Sequence, residues 1–177
     1  MRGHNGMETL DFRPLVRQTM VITPKAMETN GEISRVELEV EAHQIGPPAH
    51  LHPGQRERYT VTHGELTVKL NGTTRVVGPG EEIEVPVGAT HTFANQADEV
   101  VRFVAEHSPA LRFEEYIRAV HSTLASYGRS RLDPFTLLRL VRIESSYGDT
   151  ILPPPGMPRL AAKAMNALGG LLGYPAG

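Results

Sequence analysis

The chain has 177 residues and a formal net charge of −2; it is 40% hydrophobic and contains no cysteine. That size fits one domain with a real core, and the near-balanced charge speaks against nucleic acid or an anionic membrane as a partner. Without cysteine there are no disulfides, thiolate metal sites or thiol nucleophiles. No segment is apolar and long enough to span a bilayer, and no apolar run with a cleavage site follows the opening Met1-Arg-Gly-His-Asn-Gly6, so a cytoplasmic protein is expected.

Residues 1–19 show no sustained period and read as a loose arm or an irregular edge strand. A short strand at Met20-Val-Ile-Thr23 is stopped by Pro24, and Asn30-Gly31 marks a turn. From Ser34 the pattern alternates, with Val36, Leu38 and Val40 on one face and Glu37, Glu39 and Glu41 on the other, which is a half-buried strand. Pro47-Pro48 end that ladder and lead to His50-Leu-His52, whose imidazoles share one side of an extended segment. Glu57 has the wrong parity for an unbroken strand, but the turn at Pro53-Gly54 resets it, and Tyr59, Val61 and His63 then follow Glu57 inward.

Leu66, Val68 and Leu70 form the next apolar face, and Asn71-Gly72 between alternating runs is a hairpin signal. Gly78-Pro-Gly80 and Pro86-Val-Gly88 are turns that lead into Ile83 and Val85, then into His91, Phe93 and Asn95. Val100–Glu106 is a last strand with two largely apolar faces, so periodicity does not choose which one turns inward. Short strands at this spacing predict a β-sandwich or barrel over residues 20–109.

After Pro109 the period becomes helical. Phe113, Ile117, Val120 and Leu124 fall on one stripe of a helix ending near Gly128. Asp133-Pro134 caps a second helix with Phe135, Leu138 and Val141 on its apolar stripe. Pro153-Pro-Pro-Gly156 is a rigid connector to a third helix from Pro158 toward Gly173. Residues 110–177 are thus expected to be an α-helical extension. It should cap the barrel mouth and exclude water, so truncation after Pro109 should leave a metal bound while changing turnover.

His50, His52, Glu57 and His91 are the chemical centre of the sequence, because three imidazoles and one carboxylate form an ordinary ligand set for a divalent transition metal. Burying them without an ion would be costly. Iron, manganese, nickel, cobalt, copper and zinc all suit the set. Tyr59 and His63, on the parity of Glu57, are a candidate acid/base pair. His43, His107 and His121 read as surface histidines.

These residues resemble the cupin superfamily. His50-Leu-His52, four residues, Glu57, six residues and Gly64 match its first motif; Gly80, Pro86, Gly88, His91 and Asn95 complete its second. One departure is the three residues between Gly46 and His50, where the family usually leaves five. The resemblance implies a mainly β protein, a double-stranded β-helix (jelly-roll) barrel with the metal inside, and pairing into a homodimer. It also implies an enzyme acting on a small, hydrophobic organic molecule, with oxygen-dependent, dioxygenase-type chemistry. A Lewis-acid isomerase or cyclase on the same scaffold, or a small-molecule-binding or sensing module without turnover, are the alternatives.

Overall fold

The computed structural model describes residues 6–13, 15–127, 133–155 and 159–174, the last segment by its backbone alone over 159–163. The described residues form strands β1 (Glu8–Asp11), β2 (Gln18–Ile22), β3 (Ser34–Val40), β4 (Gln44–Ile45), β5 (Arg56–His63), β6 (Leu66–Leu70), β7 (Thr73–Val77), β8 (Glu82–Val85), β9 (His91–Asn95) and β10 (Val101–Ser108). A short helix α1 (Lys25–Glu28) interrupts them, and α2 (Phe113–Tyr127), α3 (Pro134–Ser146) and α4 (Arg159–Leu171) follow. One sheet runs β1-β2-β3-β10-β5-β8 and the other β4-β9-β6-β7, and their pairings are antiparallel. This is the mainly β jelly-roll with a C-terminal helical tail that the sequence predicts.

The alternation in β3 buries Val36, Leu38 and Val40 as expected, and these side chains share the core between the two sheets with Tyr59, Val61, Leu66, Val68, Phe93 and Phe103. The Asn71-Gly72 turn sits between Leu70 and Thr73, which face each other across the β6–β7 hairpin. Both turn residues have positive φ, 47° and 85°, the requirement of a two-residue hairpin loop. Asn95 ties the end of β9 to the opposite sheet. Its Nδ2 donates to the carbonyls of Val40, Glu41 and Glu99 at 3.0, 3.1 and 2.7 Å, and its Oδ1 accepts from Ala97 N at 3.1 Å.

Two strands depart from the expectation. β1, inside the expected arm, pairs with β2 and forms the outer edge of the larger sheet. The inward face of β10 is the Val101/Phe103/Ala105 set, and it continues to His107.

The helices follow the same logic. α2 buries Ile117 and Leu124, with Phe113 and Val120 packed beside them against the barrel core. The Asp133 side chain accepts from Thr136 N at 2.7 Å, the N-cap that the sequence predicts, with Pro134 in the first turn. The buried face of α3 is Thr136, Leu138 and Ile143 rather than the expected stripe through Phe135, which is 56% exposed. Ile143, Tyr147 and Ile151 make a second small core with Tyr116, Ala119 and Val120 of α2. The expected helix limits at Gly128 and Pro158 lie outside the described residues.

Candidate metal centre

Backbone register assembles the site. Gly46 runs so close to β9 that a Cβ there would collide with the Phe93 carbonyl and ring, which only glycine avoids. The chain then lies against β9, and His50 and His91 form an antiparallel bridge, with His50 N to His91 O at 3.0 Å and His91 N to His50 O at 2.8 Å. Residues directly opposite in such a pair have adjacent side chains, and these two rings are 4.3 Å apart. His52 is tied to the Pro86-Val-Gly88 turn, whose Gly88 N donates to its carbonyl at 2.9 Å. Its ring is 5.1 Å from that of His50 and 5.2 Å from that of His91. Glu57 enters from β5, paired with Val85 on one side and with His107 on the other.

The four sequence-predicted ligands are therefore brought together, and all are buried. Nδ1 of His50 lies 2.9 Å from Pro48 O, Nδ1 of His52 2.6 Å from Thr150 O, and Nδ1 of His91 3.1 Å from Ala89 O. A carbonyl only accepts, so each contact assigns the proton to Nδ1 and leaves Nε2 as a lone pair. Fixing an imidazole in this way is the usual outer-shell arrangement of a metal-binding histidine. Glu57 Oε2 lies 2.8 Å from His91 Nε2 and 3.5 Å from His52 Nε2. These contacts are not aligned hydrogen bonds: His52 Nε2, His91 Nε2, Glu57 Oε2 and both ring nitrogens of His107 have no hydrogen-bond partner among the described residues. Buried acceptors facing one another without a proton between them are stable only around a cation. The donor set thus fits a divalent metal: His50, His52 and His91 place three ligand atoms within 4.8 Å of one another, and so do His52, Glu57 and His107.

The shifts of His50 and Glu57 agree with this in direction, whereas that of His91 favours its protonated form beside the Glu57 carboxylate. Burial first, then the neighbouring His91 and His52, lower His50 to about 3, which keeps it neutral and able to ligate. Burial alone would raise the carboxyl of Glu57, but the adjacent His107, His52 and His91 outweigh it and hold it well below the ordinary range. Burial lowers His91, and the Glu57 carboxylate more than reverses this, leaving it raised. Tyr59 is fully buried; burial and the nearby Glu57 carboxylate hold its phenol protonated, well above its usual value.

His63 is not brought to the site. Phe103 pairs with Val61 but Arg102 pairs with His63, so a bulge at Thr62 adds one residue to β5 and reverses the parity. The His63 side chain is 51% exposed, with Nε2 3.8 Å from Glu99 on the outer surface. The bulge overturns the inward placement on which its pairing with Tyr59 rests.

The reading of His107 as a surface histidine is also overturned. Its side chain is 0% exposed, its Nε2 lies 3.0 Å from Glu57 Oε1, and its ring stacks on Phe113 at 3.5 Å. Burial and the nearby His52 and His91 lower it, against the pull of Glu57. The signal was present in the sequence, because His107 shares the parity of Val101, Phe103 and Ala105. His43 and His121 do lie outside the cluster: His43 pairs with Asp98 at 2.9 Å, and His121 contacts Asp11 O at 3.1 Å.

The helical extension is more than a cap. Phe113 of α2 covers His107, and Thr150, after α3, supplies the carbonyl that orients His52. Leu51 and Leu152 exchange two backbone hydrogen bonds of 2.9 Å and hold that segment beside the histidines.

Two antiparallel sheets enclosing histidines and a carboxylate at these spacings define a cupin. The family model for the cupin domain matches residues 36–105, and the fold is that of the cupins. An oxidoreductase of Arthrobotrys oligospora is 27% identical over 115 residues, which cover 62% of this chain and 46% of that protein. The chain thus spans about half the length of the curated relative it matches. Among solved structures, an RmlC-like cupin of Shewanella frigidimarina is similar with a TM-score of 0.50 and 17% identity, covering 63% of this chain and 92% of that one. A sugar phosphate isomerase of the cupin superfamily from Silicibacter pomeroyi has a TM-score of 0.49 and 18% identity, covering 61% and 74%. The Shewanella likeness extends to the fold alone. Among the described residues no helix is long and apolar enough to cross a membrane.

Proposed function

We propose that the protein is a metal-dependent oxidoreductase of dioxygenase type that acts on a small, apolar organic molecule, with a divalent transition metal held by His50, His52, Glu57 and His91. The observation that carries this reading is the convergence of buried Nε2 lone pairs and a carboxylate oxygen without hydrogen-bond partners, after main-chain carbonyls have claimed the Nδ1 protons. A bound ion of the iron, manganese, nickel, cobalt, copper or zinc kind supplies Lewis acidity and, if redox-active, reactivity toward oxygen. The chain's own residues do the rest. Pro48, Ala89 and Thr150 orient the imidazoles, and Tyr59 keeps its proton near Glu57. Tyr59, Phe93 and Phe103 pack edge to face in the core beside the cluster, which keeps water from that side of it.

The oxidoreductase name of the Arthrobotrys relative supports redox chemistry over isomerisation. We further place the protein in the cytoplasm as a homodimer, and a monomeric mass by sedimentation would refute the dimer. The central test is the metal content of purified wild type beside His91→Ala, followed by oxygen uptake with a panel of phenolic compounds. Near-stoichiometric metal that is lost in the variant, with substrate-dependent oxygen consumption, is expected. Turnover without oxygen uptake would replace the reading with a Lewis-acid isomerase or cyclase, and metal-bound protein that binds but never converts compounds would make it a sensing module. Negligible metal in both proteins after reconstitution would overturn the metalloenzyme itself.

A further inference from the structure

We propose that His107 is a positioning residue of the metal centre, whose Nε2–H holds Oε1 of Glu57 so that the carboxylate meets the ion through Oε2 alone. This rests on the metal-binding reading above. The two oxygens of Glu57 face different neighbours: Oε2 lies toward His91 and His52, at 2.8 and 3.5 Å, and Oε1 toward His107 Nε2, at 3.0 Å. The tautomers differ in the same sense. A main-chain carbonyl takes the Nδ1 proton of His50, His52 and His91, whereas neither Nδ1 nor Nε2 of His107 has an aligned hydrogen-bond partner among the described residues. Nothing therefore draws the His107 proton to Nδ1, and a lone pair on Nε2 would face a carboxylate oxygen at 3.0 Å. The Nε2–H form is favoured, and its contact with Oε1 is a bent, charge-assisted one.

The ring is also held as a positioning group should be. Cross-strand pairing of Glu57 with His107 sets the approach of the two side chains. Phe113 lies against the imidazole face at 3.5 Å and 22°, and His52 meets the ring edge-on at 5.0 Å and 86°. His107 and Phe113 both lie just beyond the matched cupin domain, residues 36–105.

The test uses the full-length protein and cobalt(II) alone as the probe. Wild type, His107→Leu, His107→Asn (an amide too short to reach Oε1) and His107→Gln (which keeps an N–H donor) are titrated against a competing chelator. Their cobalt visible spectra and the number of histidine nitrogens seen by X-ray absorption are compared, and melting of the metal-free forms shows which variants fold. Removing an outer-shell partner of a ligand typically lowers metal affinity about 10–100-fold. His107→Leu or His107→Asn is expected to show that loss with an altered spectrum, His107→Gln to recover most of it, and the histidine count to stay constant. Wild-type affinity and spectrum in the Leu or Asn variant would overturn the proposal, as would a histidine count that falls by one in every variant, which would make His107 a ligand. Absence of cobalt binding by wild type would instead sink the metal-binding reading beneath it.

Discussion

Leu152→Pro tests whether the helical extension governs the metal centre. Leu152 donates its N–H to Leu51 O at 2.9 Å, and the neighbouring Thr150 carbonyl accepts from His52 Nδ1 at 2.6 Å. Proline removes the N–H and leaves the buried Leu51 carbonyl without its partner, a loss of about 1–3 kcal/mol. For a chain of this length each kcal/mol is about 2–4 °C, so the melting temperature should fall by roughly 2–12 °C. Once the segment loosens, His52 loses the carbonyl that fixes its tautomer. Metal affinity should drop about 10–100-fold, or about 1.4–2.7 kcal/mol. Leu152→Ala keeps the backbone bond and changes only a side chain that is partly exposed, so it should retain affinity. The assay is a chelator competition on both variants beside wild type, with melting curves of the metal-free forms. If Leu152→Pro melts lower yet binds metal as tightly as Leu152→Ala, the Thr150 contact does not orient His52 and the reasoning fails. By the same argument truncation after Pro109 should weaken metal binding, contrary to the expectation from sequence, because it removes both Phe113 and Thr150.

Further expectations concern the site's surroundings. His63→Ala should leave metal content and turnover unchanged, since the side chain lies on the outer surface; a tenfold loss of turnover with metal intact would return it to the mechanism. Asn95→Ala removes bonds to Val40, Glu41, Glu99 and Ala97 and should lower stability by about 3 kcal/mol in denaturant unfolding, with a change under 1 kcal/mol refuting that role. Burial raises Glu144 from 4.5 to about 7, so the folded protein holds this proton more tightly than the unfolded chain. Its contribution is therefore fully present below pH 4.5 and is lost as pH rises through about 7, at a cost of about 2 kcal/mol after allowance for partial solvation. Glu144→Gln should thus be more stable than wild type at pH 8 but not at pH 4, and parallel stability curves would exclude the effect.

What the sequence disclosed follows the range of the interactions involved. The ligands lie in segments whose spacing is enforced locally: an extended His50-Leu-His52, a turn at Pro53-Gly54 and a strand opening at His91. The side-chain period of β3 and the turn at Asn71-Gly72 were legible for the same reason. His63 was misplaced because a bulge is a property of two strands, and nothing in Arg56–His63 alone marks Thr62 as the extra residue. His107 was missed because both faces of β10 are apolar; the inward face is decided by pairing with β3 and β5, where Val101 meets Val40 and Phe103 meets Val61. The Phe135 stripe failed on similar grounds, since packing of α3 on α2 selects Thr136, Leu138 and Ile143 from a helix apolar on more than one side.

The centre thus has two parts with different origins in the chain. The matched cupin domain holds the four proposed ligands and two of the three carbonyls that fix their tautomers, those of Pro48 and Ala89. Residues beyond it hold the third carbonyl, at Thr150, the imidazole facing Glu57 Oε1, and the ring that covers that imidazole. An ion bound by a ligand set common to many chemistries is tuned by what orients the ligands and by what shields them from water. Substitutions at Phe113, His107 or the Tyr147–Leu152 segment should therefore alter affinity and reactivity while every ligand stays in place. Substitutions on the charged outer face, such as Arg58 or Glu82, should not.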